Sequence, residues 1–195
     1  MDDRSRAGQD QSAHSTVVAR RRWILALVSR FVNILRLRGR PAHRANVRRS
    51  RKVLRTLRSF GDPGGAARSL AYLRRVEPLI FEEVVMSALE DAGVLVLRSC
   101  RYSGDGGVDG AFWCPEAGWM AVQAKRYAAH IDRQHVHEFA NVVRRMQYAG
   151  GVFAHTGRSG TGVYEILPGS GIIIYSGDRL IELIKERKLA HWRLT

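Results

Sequence analysis

The chain has 195 residues, 45% of them apolar, with 32 Lys and Arg against 18 Asp and Glu for a formal net charge of +14. That length suits one domain with an extension and excludes two large domains, since compact domains commonly run to about 100–150 residues. The two cysteines, Cys100 and Cys114, exclude a disulfide framework and a four-cysteine zinc site, and a reduced, cytoplasmic setting fits them best.

The charge is not spread evenly. Residues 1–78 hold 19 basic and 5 acidic side chains, whereas residues 79–195 hold 13 of each, so the excess lies wholly in the N-terminal part. An arginine-dense segment is drawn to polyanions, because neutralising phosphates releases condensed counterions whatever the base sequence. Nucleic acid is the leading partner on this reading and an anionic membrane surface the second. The alternative is a solvated basic extension without a ligand.

In chain order, residues 1–19 are polar and small and are expected to be a disordered tail, with no signal-peptide run at their start. Residues 20–40 have helical spacing. Arg22, Ala26, Ser29, Asn33, Arg36 and Arg40 recur on one side, and Trp23, Ile24, Leu27, Phe31, Ile34 and Leu35 cover the rest. A bilayer span needs about 20 largely apolar residues, and Arg30 and Asn33 interrupt this run. Two readings stay open: the apolar face packs on the protein itself, or the helix lies on a membrane surface and makes the protein membrane-associated.

Residues 44–60 predict a second basic helix, with Arg48, Arg49, Arg51 and Lys52 as candidate DNA contacts. It ends at the turn-forming run Gly61-Asp62-Pro63-Gly64-Gly65, and a third helix follows over 66–75. The region 20–77 is thus expected to be a basic helical module, although it has no recognition-helix pattern.

From residue 78 to 195 the pattern is that of an α/β domain. The expected elements are a helix over 79–92, strands near 94–99, 108–113 and 119–125, a helix over 133–148, strands near 151–155 and 171–175, and a last helix over 179–188 capped by Asp178.

The chemistry concentrates in the second and third strands. The run Gly104-Asp105-Gly106-Gly107-Val108-Asp109-Gly110 leads into one, and Trp119-Met120-Ala121-Val122-Gln123-Ala124-Lys125 forms the next. Side chains alternate along a strand, so Gln123 and Lys125 share a face, and Asp109 meets that face if the two strands pair. Hydrolysing a phosphodiester calls for a hard cation, which prefers oxygen ligands. Asp109, the Gln123 amide and the Ala124 carbonyl supply such oxygens, and Lys125 can orient water and stabilise charge. In the helix before them Glu83, Ser87 and Glu90 make a polar stripe. Glu82 falls in line with Met86 and Leu89, which points it inward as a candidate further ligand.

Other polar residues carry weaker signals. Asp105 reads first as a turn former, and Trp113 and Trp119 as a packed pair. His130, His135 and His137 read as surface or phosphate-contacting residues. His155, Thr156 and Gly157 read equally as site lining or as a plain strand exit. Arg126, Arg144 and Arg145 are candidate backbone contacts for DNA.

From Phe81 to the C-terminal helix the chain resembles the Mrr-like restriction endonuclease catalytic family of the PD-(D/E)xK nucleases. The likeness rests on Phe81-Glu82, on Gly104 through Asp109, on Gln123-Ala124-Lys125, on Gly151-Val152-Phe153 with Thr156-Gly157, and on Asp178-Arg179-Leu180. It implies a restriction-endonuclease-like core, a central mixed sheet flanked by helices, behind the basic helical region. It also implies a catalytic role for Asp109, Gln123 and Lys125, an accessory one for Glu82, and magnesium, or alternatively manganese, as the cation. Gln123 stands where the superfamily more often has Glu, which removes one negative charge from the metal site. The expected activity is DNA cleavage of restriction or defence type, with a homodimer as one simple route to cutting both strands. The alternatives are a DNA-binding protein of nuclease fold that does not cut, and a structure-specific nuclease of repair or recombination.

Overall fold

The computed structural model describes residues 24–36, 38, 40–61, 64–99 and 107–189. The expected tail over residues 1–19, Cys100 and the loop residue Asp105 lie outside the described residues. The elements in chain order are α1 (residues 24–36), α2 (Pro41–Ser59), α3 (Gly65–Leu73), α4 (Pro78–Asp91), β1 (Leu95–Arg98), β2 (Gly110–Cys114), β3 (Gly118–Lys125), α5 (Arg133–Arg145), β4 (Gly150–His155), α6 (Thr161–Tyr164), β5 (Ile172–Tyr175) and α7 (Gly177–Glu186). Each expected element is present, with ends moved by one to a few residues.

The strands form one sheet in the order β1-β2-β3-β4-β5. The pairs β1/β2 and β2/β3 are antiparallel, and β3/β4 and β4/β5 are parallel. The parallel steps follow from the helices α5 and α6 that separate those strands, since a parallel return needs a crossover. Every residue of β4 is buried, as a strand covered on both faces must be.

One face of the sheet packs Val122, Ala124, Val152 and Ala154 against Val84, Ala88 and Leu89 of α4 and Leu180, Leu183 and Ile184 of α7. Helices α2 and α3, set apart by charge alone, add Val53, Leu54, Leu57 and Leu73 to this same core. On the other face Ala121 and Phe153 meet Val136, Phe139 and Val143 of α5. The basic region and the α/β region therefore share one hydrophobic core.

Helix ends follow local chemistry. Pro41 and Pro78 open α2 and α4 in the first turn, where a missing N–H costs nothing. The Asp132 side chain accepts the Gln134 N–H and caps α5. Asp178 does not cap α7 as expected. Ser176 is the N-cap residue, and Asp178 lies in the first turn, where its charge still favours the helix dipole.

The polar stripe of α4 is buried. Glu83 and Glu90 are 3% and 2% exposed. Arg98, itself 2% exposed, donates to Glu83 at 3.0 Å, Ser87 at 3.2 Å and Glu90 at 3.3 Å. His43 Nε2 lies 2.5 Å from the same Glu83 carboxylate, and Ser50 pairs with Ser87 at 3.0 Å. Arg51 pairs with both Glu90 and Asp91, and Arg58 reaches Asp91 at 2.8 Å. Burial pushes the Asp91 carboxyl up, but Arg51 and Arg58 outweigh it and leave its pKa below the ordinary value. Buried charges require such pairing, and α2 supplies it.

Candidate active site

The site lies at one end of the sheet, where β3 and β4 finish and β2 begins. Gly110 pairs with Val122 across β2 and β3, which sets the preceding residue, Asp109, opposite Gln123. The Asp109 carboxylate accepts the Ala124 N–H at 2.6 Å, and the Asp109 N–H donates to the Val122 carbonyl at 2.8 Å. A strand residue turns its N–H and C=O to the same side. The Ala124 carbonyl therefore faces the side on which Asp109 sits. Asp109 and the Gln123-Ala124 segment thus meet where β2 and β3 pair.

Gln123 is only 6% exposed, and its amide rests against Gly107. A Cβ on Gly107 would lie 2.3 Å from Gln123 Nε2, and Gly107 has φ +88°, a conformation that side chains oppose. Gly107 therefore makes the room that Gln123 occupies, a role the sequence reading did not assign. Lys125 ends β3 on the same face, half-buried, with no carboxylate partner among the described residues.

Glu82 is half-buried on α4, one turn before Met86, whose methyl group packs on Gly110. Since α4 runs back into β1 through a short turn, its first turns stand at the Arg98 end of that strand. The Ser99 N–H donates there to the Asp109 carbonyl. Val122 and Ala124 pack on the α4 side of the sheet, so Gln123 and Lys125 extend from the opposite face, and Glu82 on α4 is set apart from them.

A network missed in the sequence reading supports the neighbouring strand. Register pairs Lys125 with His155. His155 is fully buried and meets Ser159 Oγ through Nε2 at 3.0 Å; burial lowers its pKa to about 4. Thr156 Oγ1 donates to the Tyr127 carbonyl at 2.9 Å and accepts the Tyr127 N–H at 3.0 Å. Tyr127 Oη lies 2.6 Å from His135 Nδ1, and burial, with Asp132 and Glu138 nearby, raises the phenol to about 12. These bonds tie the loop after β3 to the loop after β4. The only available signal was the polar His155-Thr156-Gly157 run at a strand exit. His137 is exposed on α5, and Trp113 and Trp119 pack edge to face at 5.5 Å.

The candidate DNA contacts divide by position. Arg126 is exposed beside Lys125 and donates to the Arg74 carbonyl at 2.5 Å, while Arg74 Nε donates to the Thr156 carbonyl at 2.9 Å. Arg144 and Arg145 lie at the far end of α5, where the Ala149 N–H meets the Trp119 carbonyl. That is the opposite end of β3, about 20 Å from Lys125 at the rise of a strand. On α2, Arg49 and Lys52 are exposed, Arg48 faces α1, and Arg51 is engaged with Glu90 and Asp91.

The donor chemistry fits a hard divalent cation, with one carboxylate and neutral oxygens converging at Ala124. Among the described residues no three His, Cys, Asp or Glu side chains group as metal ligands.

A sheet of this order with Asp109 opposite Gln123-Ala124-Lys125 has the makings of a nuclease of the restriction-endonuclease fold. The Mrr_cat restriction endonuclease family model matches residues 73–184, and the chain belongs to that family. No curated protein and no solved structure matches the chain.

Proposed function

We propose that this nuclease is a metal-dependent endonuclease that hydrolyses DNA phosphodiester bonds in a restriction or defence role. The observation that carries this reading is the Asp109 carboxylate seated on the Ala124 N–H, between Gln123 and Lys125 in sequence, with no carboxylate partner for Lys125 among the described residues. Asp109, Gln123 and the Ala124 carbonyl are the residues that would hold magnesium or manganese. A bound divalent cation supplies charge neutralisation and polarises the phosphoryl oxygen.

The chain's own residues do the rest. Lys125 orients the attacking water and offsets charge gathering on the phosphoryl oxygens. The Ala124 N–H fixes the Asp109 carboxylate before substrate arrives, and Gly107 fixes the Gln123 amide. Arg126 holds the DNA backbone beside the scissile bond, with Arg49 and Lys52 contributing from α2. Arg144 and Arg145 are too far from Lys125 to hold the phosphate being cut. Arg51 is reassigned to the fold.

The test is cleavage of methylated and unmethylated plasmid by the full chain, with magnesium or with chelator. Asp109→Ala and Lys125→Ala are each expected to lower the rate at least about a hundredfold, as loss of a transition-state contact does, while DNA binding persists. Binding without cutting by the wild type would identify a non-catalytic DNA-binding protein, and cutting confined to branched DNA a structure-specific nuclease.

A further inference from the structure

Helix α1 sits on the protein with the wrong side out. An amphipathic surface helix normally buries its apolar stripe. Here Phe31 is 63% exposed, Ile34 62%, Leu27 58%, and Ile24 and Leu35 53% each. The buried side is polar: Ser29 is fully buried and Asn33 is 4% exposed.

The reason lies in the sheet edge. Strand β1 is an outer strand, and its outward main-chain groups need partners. The Val96 N–H donates to Ser29 Oγ at 3.0 Å, and Asn33 Nδ2 donates to the Val96 carbonyl at 2.8 Å. The Arg98 N–H donates to Asn33 Oδ1 at 3.1 Å. Arg30 adds an ion pair to Asp91 at 3.1 Å. Three hydrogen bonds and one ion pair thus fix the rotation of α1, and that rotation leaves the apolar stripe outside.

Beside the stripe runs a cleft of about 290 Å³ between α1 and α2, lined by Arg30, Ile34, Arg44 and Arg48. Its one acid, Glu90, is already paired with Arg51 and Arg98. Arg44 and Arg48 are exposed and have no acidic partner among the described residues. A contiguous apolar face of this kind marks an interaction site, and the charge around it selects the occupant. A second copy in twofold contact would set these arginines against their own kind on a chain of +14. A surface of phosphate headgroups over hydrocarbon complements both features at once.

We propose that the outer face of α1 is an in-plane docking surface for an anionic lipid bilayer, its apolar side chains entering the headgroup boundary and Arg44 and Arg48 meeting lipid phosphates. No described helix is long and apolar enough to cross a membrane. The contact lies at the β1 edge, and Gln123 and Lys125 lie two strands inward at the end of β3, outside the proposed contact.

The test is co-sedimentation of the full chain with phosphatidylcholine vesicles, with and without phosphatidylglycerol. Binding to the anionic vesicles is expected to exceed binding to neutral ones at least about tenfold. Leu27→Ser with Phe31→Ser is expected to weaken it by about tenfold or more, while plasmid cleavage and the circular dichroism spectrum stay those of the wild type. Arg44→Glu with Arg48→Glu is expected to weaken it similarly. No binding to anionic vesicles overturns the proposal, as does binding that the serine variant retains in full. Sedimentation equilibrium showing a dimer that the serine variant converts to monomer would assign the face to a second copy instead.

Discussion

Individual residues show how little tolerance the site has. Gly107 touches no substrate atom in the proposed mechanism, yet a single methyl group there collides with the Gln123 amide. Gly107→Ala is expected to fold and to lose cleavage by about tenfold or more, consistent with the cost of displacing a catalytic group by an ångström; plasmid cleavage with parallel circular dichroism checks it. His155 acts on stability through protonation. Its pKa is lowered by burial to about 4 from an ordinary 6.5. Below pH 6.5 the unfolded chain takes up a proton that the native state refuses until about pH 4, so native stability falls as pH falls through that window and levels off beneath it. The loss is on the order of 3 kcal/mol. Urea unfolding of wild type and His155→Phe at several pH values is expected to show a difference that shrinks towards low pH. The Asp91 carboxyl, held below 3.8, acts only at lower pH and does not enter this window.

At the scale of elements, α1 is a cover for the β1 edge. Ser29 and Asn33 were two of the polar positions that made residues 20–40 read as amphipathic, and that periodicity was correct. Which side would face the protein was not legible, because it depends on Val96 and Arg98, more than sixty residues away. Asn33→Leu leaves the Arg98 N–H without its partner and takes one of two donors from the Val96 carbonyl, which keeps the Ser29 hydroxyl. An unsatisfied group costs about 1–3 kcal/mol, and the expected result is a lower urea midpoint with greater edge-to-edge association on light scattering. The α4 stripe teaches the same lesson. Its spacing pointed Glu82 inward, yet Glu82 is half-buried whereas Glu83, Ser87 and Glu90 are buried, because Arg98, His43 and Arg51 arrive from other elements to pair with them.

Over the whole molecule the division by charge and the division by packing do not coincide. Arg44, Arg48, Arg49, Lys52 and Arg55 of α2 are exposed, while Leu54 and Leu57 of the same helix are 1% and 0% exposed in the core that α4 and α7 complete. A fragment starting at Pro78 would expose that face and leave Glu83, Glu90 and Asp91 short of His43, Arg51 and Arg58. It is expected to be insoluble or molten, whereas a chain starting at Arg40 keeps the core; thermal unfolding of both fragments decides. Breaking buried ion pairs in this way costs about 3–5 kcal/mol each, a large share of the stability of a small domain.

The sequence by itself determined the order and type of the elements, because helix and strand periods are local and strong from α4 onward. It also pointed to the meeting of Asp109 with the strand that carries Gln123 and Lys125, since a short hairpin leaves the two strands few other arrangements. Only the tertiary structure decided which face of α1 meets solvent, that Arg144 and Arg145 stand at the far end of β3, and that Gly107 must stay small for Gln123. Each of those outcomes depends on groups distant in the chain that compete for the same space or the same hydrogen bond, and periodicity carries no record of that competition.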